Sequence, residues 1–235
     1  MSEFRLSFPA CVIAGKNRLN ADDVILLRKY TFPYGIQTSV DVVTMLALNN
    51  SCPEKCEEWS TFFVETLTHY IVHQCYPQGT LDDINAGWIR LMFTTDGVIN
   101  SPLELELVLH IIEVASRVPA SLSVLALDQV RLALSNGMGA YHLIRGHRGA
   151  RMLAGDLNYV LRVLRGGCGP DIGALSPEQA SAIQRIDRAA VHGSSHPDWH
   201  AFTASLGTLA PQPVEPVRSR WLRVSDAFLL DEAAA

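Results

Sequence analysis

Three observations predict an all-α fold. Apolar residues recur at spacings of three and four along most of the chain. Strand signals are nearly absent, because the β-branched residues fall within those helical periods. Hydrophobic residues make up 48% of the 235 positions, enough to bury the core of one large domain or two small ones.

The elements follow in order. Asn20-Ala21-Asp22-Asp23 offers a cap and first-turn carboxylates to a helix carried by Val24, Ile25 and Leu27, which Phe32-Pro33-Tyr34-Gly35 ends. A second helix starts near Ser39, runs through Val42, Val43, Leu46 and Ala47, and stops at Asn49-Asn50-Ser51. A third, from about Pro53 to Cys75, places Trp59, Phe62, Phe63, Leu67, Tyr70 and Ile71 on one stripe. Tyr76-Pro77-Gln78-Gly79 is a break. The next helix runs from Asp82 through Trp88, Ile89 and Met92 to Thr95, and Asp96-Gly97 turns the chain into another at Ser101-Pro102, where proline suits the first helical position. A further helix beyond Val118-Pro119 carries Leu122, Leu125, Ala126, Gln129 and Val130. From Asn136 to Arg151 four glycines and three arginines leave no amphipathic period, which predicts a linker or exposed loop. Helical pattern resumes at Leu153, again from Ser176 to Val191 and around Pro197 to Leu206, and last at Arg218 to Leu230, beyond Pro211, Pro213 and Pro216. The expected organisation is an N-terminal arm (1–18), a first helical repeat unit (19–135), a Gly/Arg-rich linker (136–152) and a second, shorter unit (153–235).

Similarity within the chain supports that division. Asp22 to Arg28 matches Asp156 to Arg162 at an offset of 134, Glu58-Trp59-Ser60-Thr61-Phe62 matches Asp198-Trp199-His200-Ala201-Phe202 at 140, and Trp88-Ile89-Arg90 matches Trp221-Leu222-Arg223 at 133. A shorter echo joins Gly35-Ile36-Gln37-Thr38-Ser39 to Gly97-Val98-Ile99-Asn100-Ser101 at 62, so helix pairs are themselves repeated. The expectation is an internally duplicated bundle whose second copy is truncated, its bare surface covered by a protein partner or a second subunit.

The net charge of −5 argues against general nucleic-acid binding, which needs a basic face. Five cysteines, an odd number, do not form the dense framework of a secreted domain, and Arg5, Lys16 and Arg18 interrupt any signal-peptide core. No window reaches the roughly 20 apolar residues of a transmembrane segment. A cytoplasmic protein is expected.

The Asp96-Gly97-Val98-Ile99 turn between helices, followed by Glu104, resembles the TerB-like, tellurite-resistance-type family over about residues 84–130. The resemblance implies an all-α fold and roles in metal-linked or membrane-associated stress responses, and assigns no functional residue. A calcium loop centred on Gly97 is excluded, since Met92 and Leu103 would occupy its first and twelfth positions.

Four constellations compete with bland readings. At the offset of 140, Cys52 falls on His192 and Cys56 on His196, so two turns facing each other would make a Cys2His2 site for zinc or iron, with His200 a spare ligand; otherwise these are polar turns set by Pro53 and Pro197. His69 and His73 lie one helical turn apart, without the glutamate of an HExxH motif. Glu58, Trp59 and Phe62, repeated as Asp198, Trp199 and Phe202, read as core anchors or as an aromatic groove for a partner helix. Arg145, His147, Arg148 and Arg151 would bind phosphate or an acidic partner, or simply solvate a linker. No nucleophile elbow is present, which leans the reading away from catalysis. The leading expectation is a cytoplasmic helical-repeat interaction scaffold. The alternatives are a metal-dependent sensor or hydrolase and a bundle holding a small apolar ligand.

Overall fold

The computed structural model describes residues 8–168, 175–191 and 195–208. It is all-α, with eleven helices among those residues: α1 (Phe8–Ala14), α2 (Ala21–Leu26), α3 (Ser39–Ser51), α4 (Glu57–Thr68), α5 (Asp83–Phe93), α6 (Pro102–Val114), α7 (Ala120–Ser135), α8 (Gly139–Arg145), α9 (Ala154–Cys168), α10 (Pro177–Ala189) and α11 (Pro197–Thr208). α2 and α4 each continue into a wider π-helical turn, Leu27–Thr31 and His69–Gln74. Two-residue strands β1 (Arg18–Leu19) and β2 (Glu54–Lys55) pair in parallel.

Local sequence explains where the helices begin. Asn20 with Asp23, Thr38 with Asp41, Asp82 with Asn85, and Ser176 with Gln179 form reciprocal capping boxes on α2, α3, α5 and α10, satisfying amides that have no partner within the helix. The α5–α6 turn needs two left-handed residues, Asp96 (φ 52°) and Gly97 (φ 80°). Gln129 of α7 holds that turn from below, its Oε1 accepting from the Ile99 amide (2.9 Å) and its Nε2 donating to the Gly97 carbonyl (2.9 Å).

Paired backbone segments occur in three places among the described residues, with donor direction and spacing differing between them. The Glu54 and Cys56 amides donate to the Asn17 and Leu19 carbonyls; the Ser116 and Leu81 amides to the Gly79 and Arg117 carbonyls; the Val191 and His196 amides to the Ala150 and Met152 carbonyls. After each first segment comes a helix (α2, α5 or α9), then a helix of thirteen residues (α3, α6 or α10), a buried small side chain (Cys52, Ala115 or Ala190), the second segment, and a third helix (α4, α7 or α11). The fourth residue from the third helix's cap is fully buried in every case: Trp59, Leu122 and Trp199. α4 packs on α6, and α7 packs on α10, so a third helix twice seats on the following second helix.

Three expectations are corrected. The arm at 1–18 contains α1, which buries Ala10 and Ile13 and packs on α3. The third helix starts at Glu57 rather than Pro53, because Glu54 and Lys55 pair with β1 and Cys56 occupies the cap position. The linker at 136–152 contains α8, whose Tyr141 and Arg145 are buried. The Arg145 guanidinium pairs with Asp156 (2.8 Å), which also accepts from the Tyr141 hydroxyl (2.7 Å) and the Leu153 amide (2.8 Å), while the Gly149 and Arg151 carbonyls take other guanidinium protons. Glycine-rich spacing hid this helix, since an interior ion pair leaves no apolar stripe. The expected helix at 218–230 and Trp221 lie outside the described residues.

Candidate functional site

The Cys/His constellation is only partly in view, since His192 lies outside the described residues. Cys52 is the C-terminal cap of α3, buried, with its thiol directed at the Ile13 and Lys16 carbonyls (3.4 and 3.2 Å). Burial pushes the thiols of Cys52 and Cys56 up, which opposes the thiolate form a metal requires. Cys56 and His196 each immediately precede a helix, α4 and α11. Four residues separate α3 from Cys56 and six separate α10 from His196, so the spacing of Cys52 before α4 is not repeated before α11. His196 accepts from the Asp198 amide at Nδ1 (3.3 Å), and His200 is half-buried on α11. No group of three or more His, Cys, Asp or Glu side chains suited to a metal ion occurs among the described residues.

Trp59, Phe62 and Trp199 are buried, and Phe202 is half-buried against the core. Their indole N–H groups donate to Asn49 Oδ1 (3.3 Å) and Asp187 Oδ1 (2.9 Å). The aromatic groove is corrected accordingly: its floor is occupied by the protein's own packing, and only Glu58 and Asp198 of that set are exposed. A shallower groove remains beside Glu58, walled by Ala21, Val24, Ile25, Arg28, Glu57 and Thr61, with Arg28 stacked on Phe62 (4.8 Å). His69 and His73 are exposed, with ring centroids 5.5 Å apart. Of the basic cluster, His147, Arg148 and Arg151 are exposed, whereas Arg145 is consumed by Asp156.

Two concave features escaped the sequence reading. A cleft of about 760 Å³ opens where the starts of α5, α7 and α10 converge. Asp82, Asp83, Glu178 and Arg117 line it, over Leu81, Val118 and Val124. Next to it, α5 turns Ile84 and Leu91 to solvent (80% and 77% exposed) with Trp88 half-buried between them, a stripe at spacings of four and three. α5 packs chiefly on α7, which accounts for the bare opposite face.

The second feature is a pocket of about 270 Å³ among the ends of α3, α5 and α6, lined by Leu46, Asn50, Met92, Phe93, Thr94, Thr95, Asn100, Ser101 and Glu104. Glu104 is 7% exposed. Burial pushes its carboxyl up, partly opposed by Asn49, whose Nδ2 donates at 3.4 Å, and by the charge of Lys55. The signal for this site was present in the sequence as a glutamate on the apolar side of α6, between Leu103 and Leu105.

No protein family, curated protein or solved structure matches the chain.

Proposed function

We propose that the chain is a cytoplasmic helical-repeat scaffold, built of three units (17–74, 79–135 and 150–208) rather than one long unit and one truncated copy. The threefold recurrence of thirteen-residue helix, buried small residue and paired backbone segment supports that division. The thiols of Cys52, Cys56 and Cys75, which form no disulfide among the described residues, support the compartment. The observation that carries the function is the exposed α5 stripe of Ile84, Trp88 and Leu91 on the middle unit. Its spacing fits the apolar face of a partner helix, and Asp82, Asp83 and Glu178 at the adjoining cleft favour basic residues on that helix.

The test is affinity capture with the intact chain and with an Ile84→Asp/Leu91→Asp variant, followed by rebinding of the recovered partner in purified form. A partner helix that binds the parent chain and loses at least about tenfold in affinity to the folded variant is expected, because two anchors would each face an unpaired charge. Equal binding to both proteins overturns the assignment. Light scattering that shows a dimer abolished by the same substitutions replaces the foreign partner with a second copy.

A further inference from the structure

We infer that the pocket over Glu104 is a binding site for a guanidinium group. Three helices of the recurring plan carry a polar residue at the third helical position: Asp41 on α3, Glu104 on α6 and Gln179 on α10. Asp41 and Gln179 turn back to accept from the backbone amides of Thr38 and Ser176 (2.9 Å each). Glu104 does not, and Ser101 supplies no side-chain cap either. The carboxylate instead lies inward with one long hydrogen bond, from Asn49 to Oε1, and Oε2 has no hydrogen-bond partner among the described residues. The same glutamate lines the open pocket. A nine-tenths buried carboxyl that gives up local capping and keeps an oxygen toward a cleft is costly unless something binds there.

The surroundings select the ligand. The pocket holds neutral oxygen-bearing side chains, Asn50, Thr94, Thr95, Asn100 and Ser101, and one acid. The C-terminal ends of α3 and α5 add the negative ends of two helix dipoles, against the positive N-terminal end of α6 that Glu104 itself offsets. The nearest cation, Lys55, donates to the Cys52 carbonyl (2.7 Å) and makes no ion pair with Glu104. A single carboxylate is a weak divalent-metal site, whereas a planar guanidinium donates one N–H to its open oxygen and spends its remaining N–H groups on the amide and hydroxyl oxygens. The guanidinium is weakly hydrated, which suits a half-closed pocket with Leu46, Met92 and Phe93 as its apolar walls. It would arrive on a free small molecule or on an arginine side chain of a peptide.

Calorimetric titration of the full chain with agmatine and, separately, with an acetylated and amidated Ala-Arg-Ala peptide tests the site and distinguishes the two sources. Saturable binding of one probe is expected, weakened about tenfold or more by Glu104→Gln, which keeps the side chain's shape. Asn100→Ala, on the exposed rim, is expected to weaken it less. The inference is overturned if neither probe binds at about 10 mM, if Glu104→Gln binds as the parent does, or if calcium displaces the probe from the pocket.

Discussion

Glu104 shows how one side chain departs from the role its neighbours in the plan perform, and its protonation has a readable consequence. Burial raises its pKa in the folded chain, with Asn49 and Lys55 facing it and opposing the shift. The folded state therefore holds that proton more tightly than the unfolded state, and this group's contribution to stability falls as pH rises from the ordinary value of 4.5 to the raised one. Above the raised value the penalty is constant. Glu104→Gln is expected to remove this component, leaving a variant at least as stable as the parent at neutral pH and with a flatter profile above pH 4.5. Urea unfolding at a series of pH values checks it, and an unchanged slope in the variant would show that the carboxyl ionises freely in the fold. The residue scale also marks where sequence reading stopped. A glutamate beside leucines was visible, but its inward turn depends on Asn49 and Trp59, 55 and 45 positions away in the chain.

Among the elements, α8 and α9 depend on contacts that periodicity does not encode. The Asn20 cap made α2 legible, and apolar periods made α3, α5, α9 and α10 legible, because these signals are local. α8 was not legible, since the buried Arg145–Asp156 pair that ties it to α9 leaves no local apolar period. Replacing Asp156 with alanine leaves the guanidinium buried and uncompensated, and a loss of about 3–5 kcal/mol is expected by chemical denaturation. Gly166 supplies a second test. An added Cβ there would lie 2.7 Å from both Cγ2 and the backbone carbonyl oxygen of Ile112 on α6. In an open helix, Gly→Ala gains about 1 kcal/mol of propensity. Here the backbone of α6 cannot yield as a side chain end would, so Gly166→Ala is expected to destabilise by about 1–3 kcal/mol. A stabilised variant would mean that α9 and α6 are further apart in solution.

For the molecule as a whole, the order of stacking sets where stability resides. α6 packs against α4, α7, α8 and α9, and α7 against α5, α8, α9 and α10, so the middle of the chain is covered from both directions. α1 and α2 pack chiefly on elements of the first unit, and α11 packs on α9 and α10. In the proposed three-unit reading, opening an end breaks one inter-unit contact, whereas opening the middle breaks two. On that reading the sequence offsets of 134 and 140 would join the first unit to the third, and the middle unit is harder to see in sequence because it has Leu122 where the outer units have Trp59 and Trp199. Hydrogen exchange read by mass spectrometry discriminates the readings. Amides of α6 and α7 are expected to exchange slowest, those of α1, α2 and α11 fastest, with α5 intermediate because it packs mainly on α7. Uniform protection across all helices would indicate one undivided core. Slowest exchange at α2 and α11 would mean that the outer units are the stable bodies and that the middle unit depends on them.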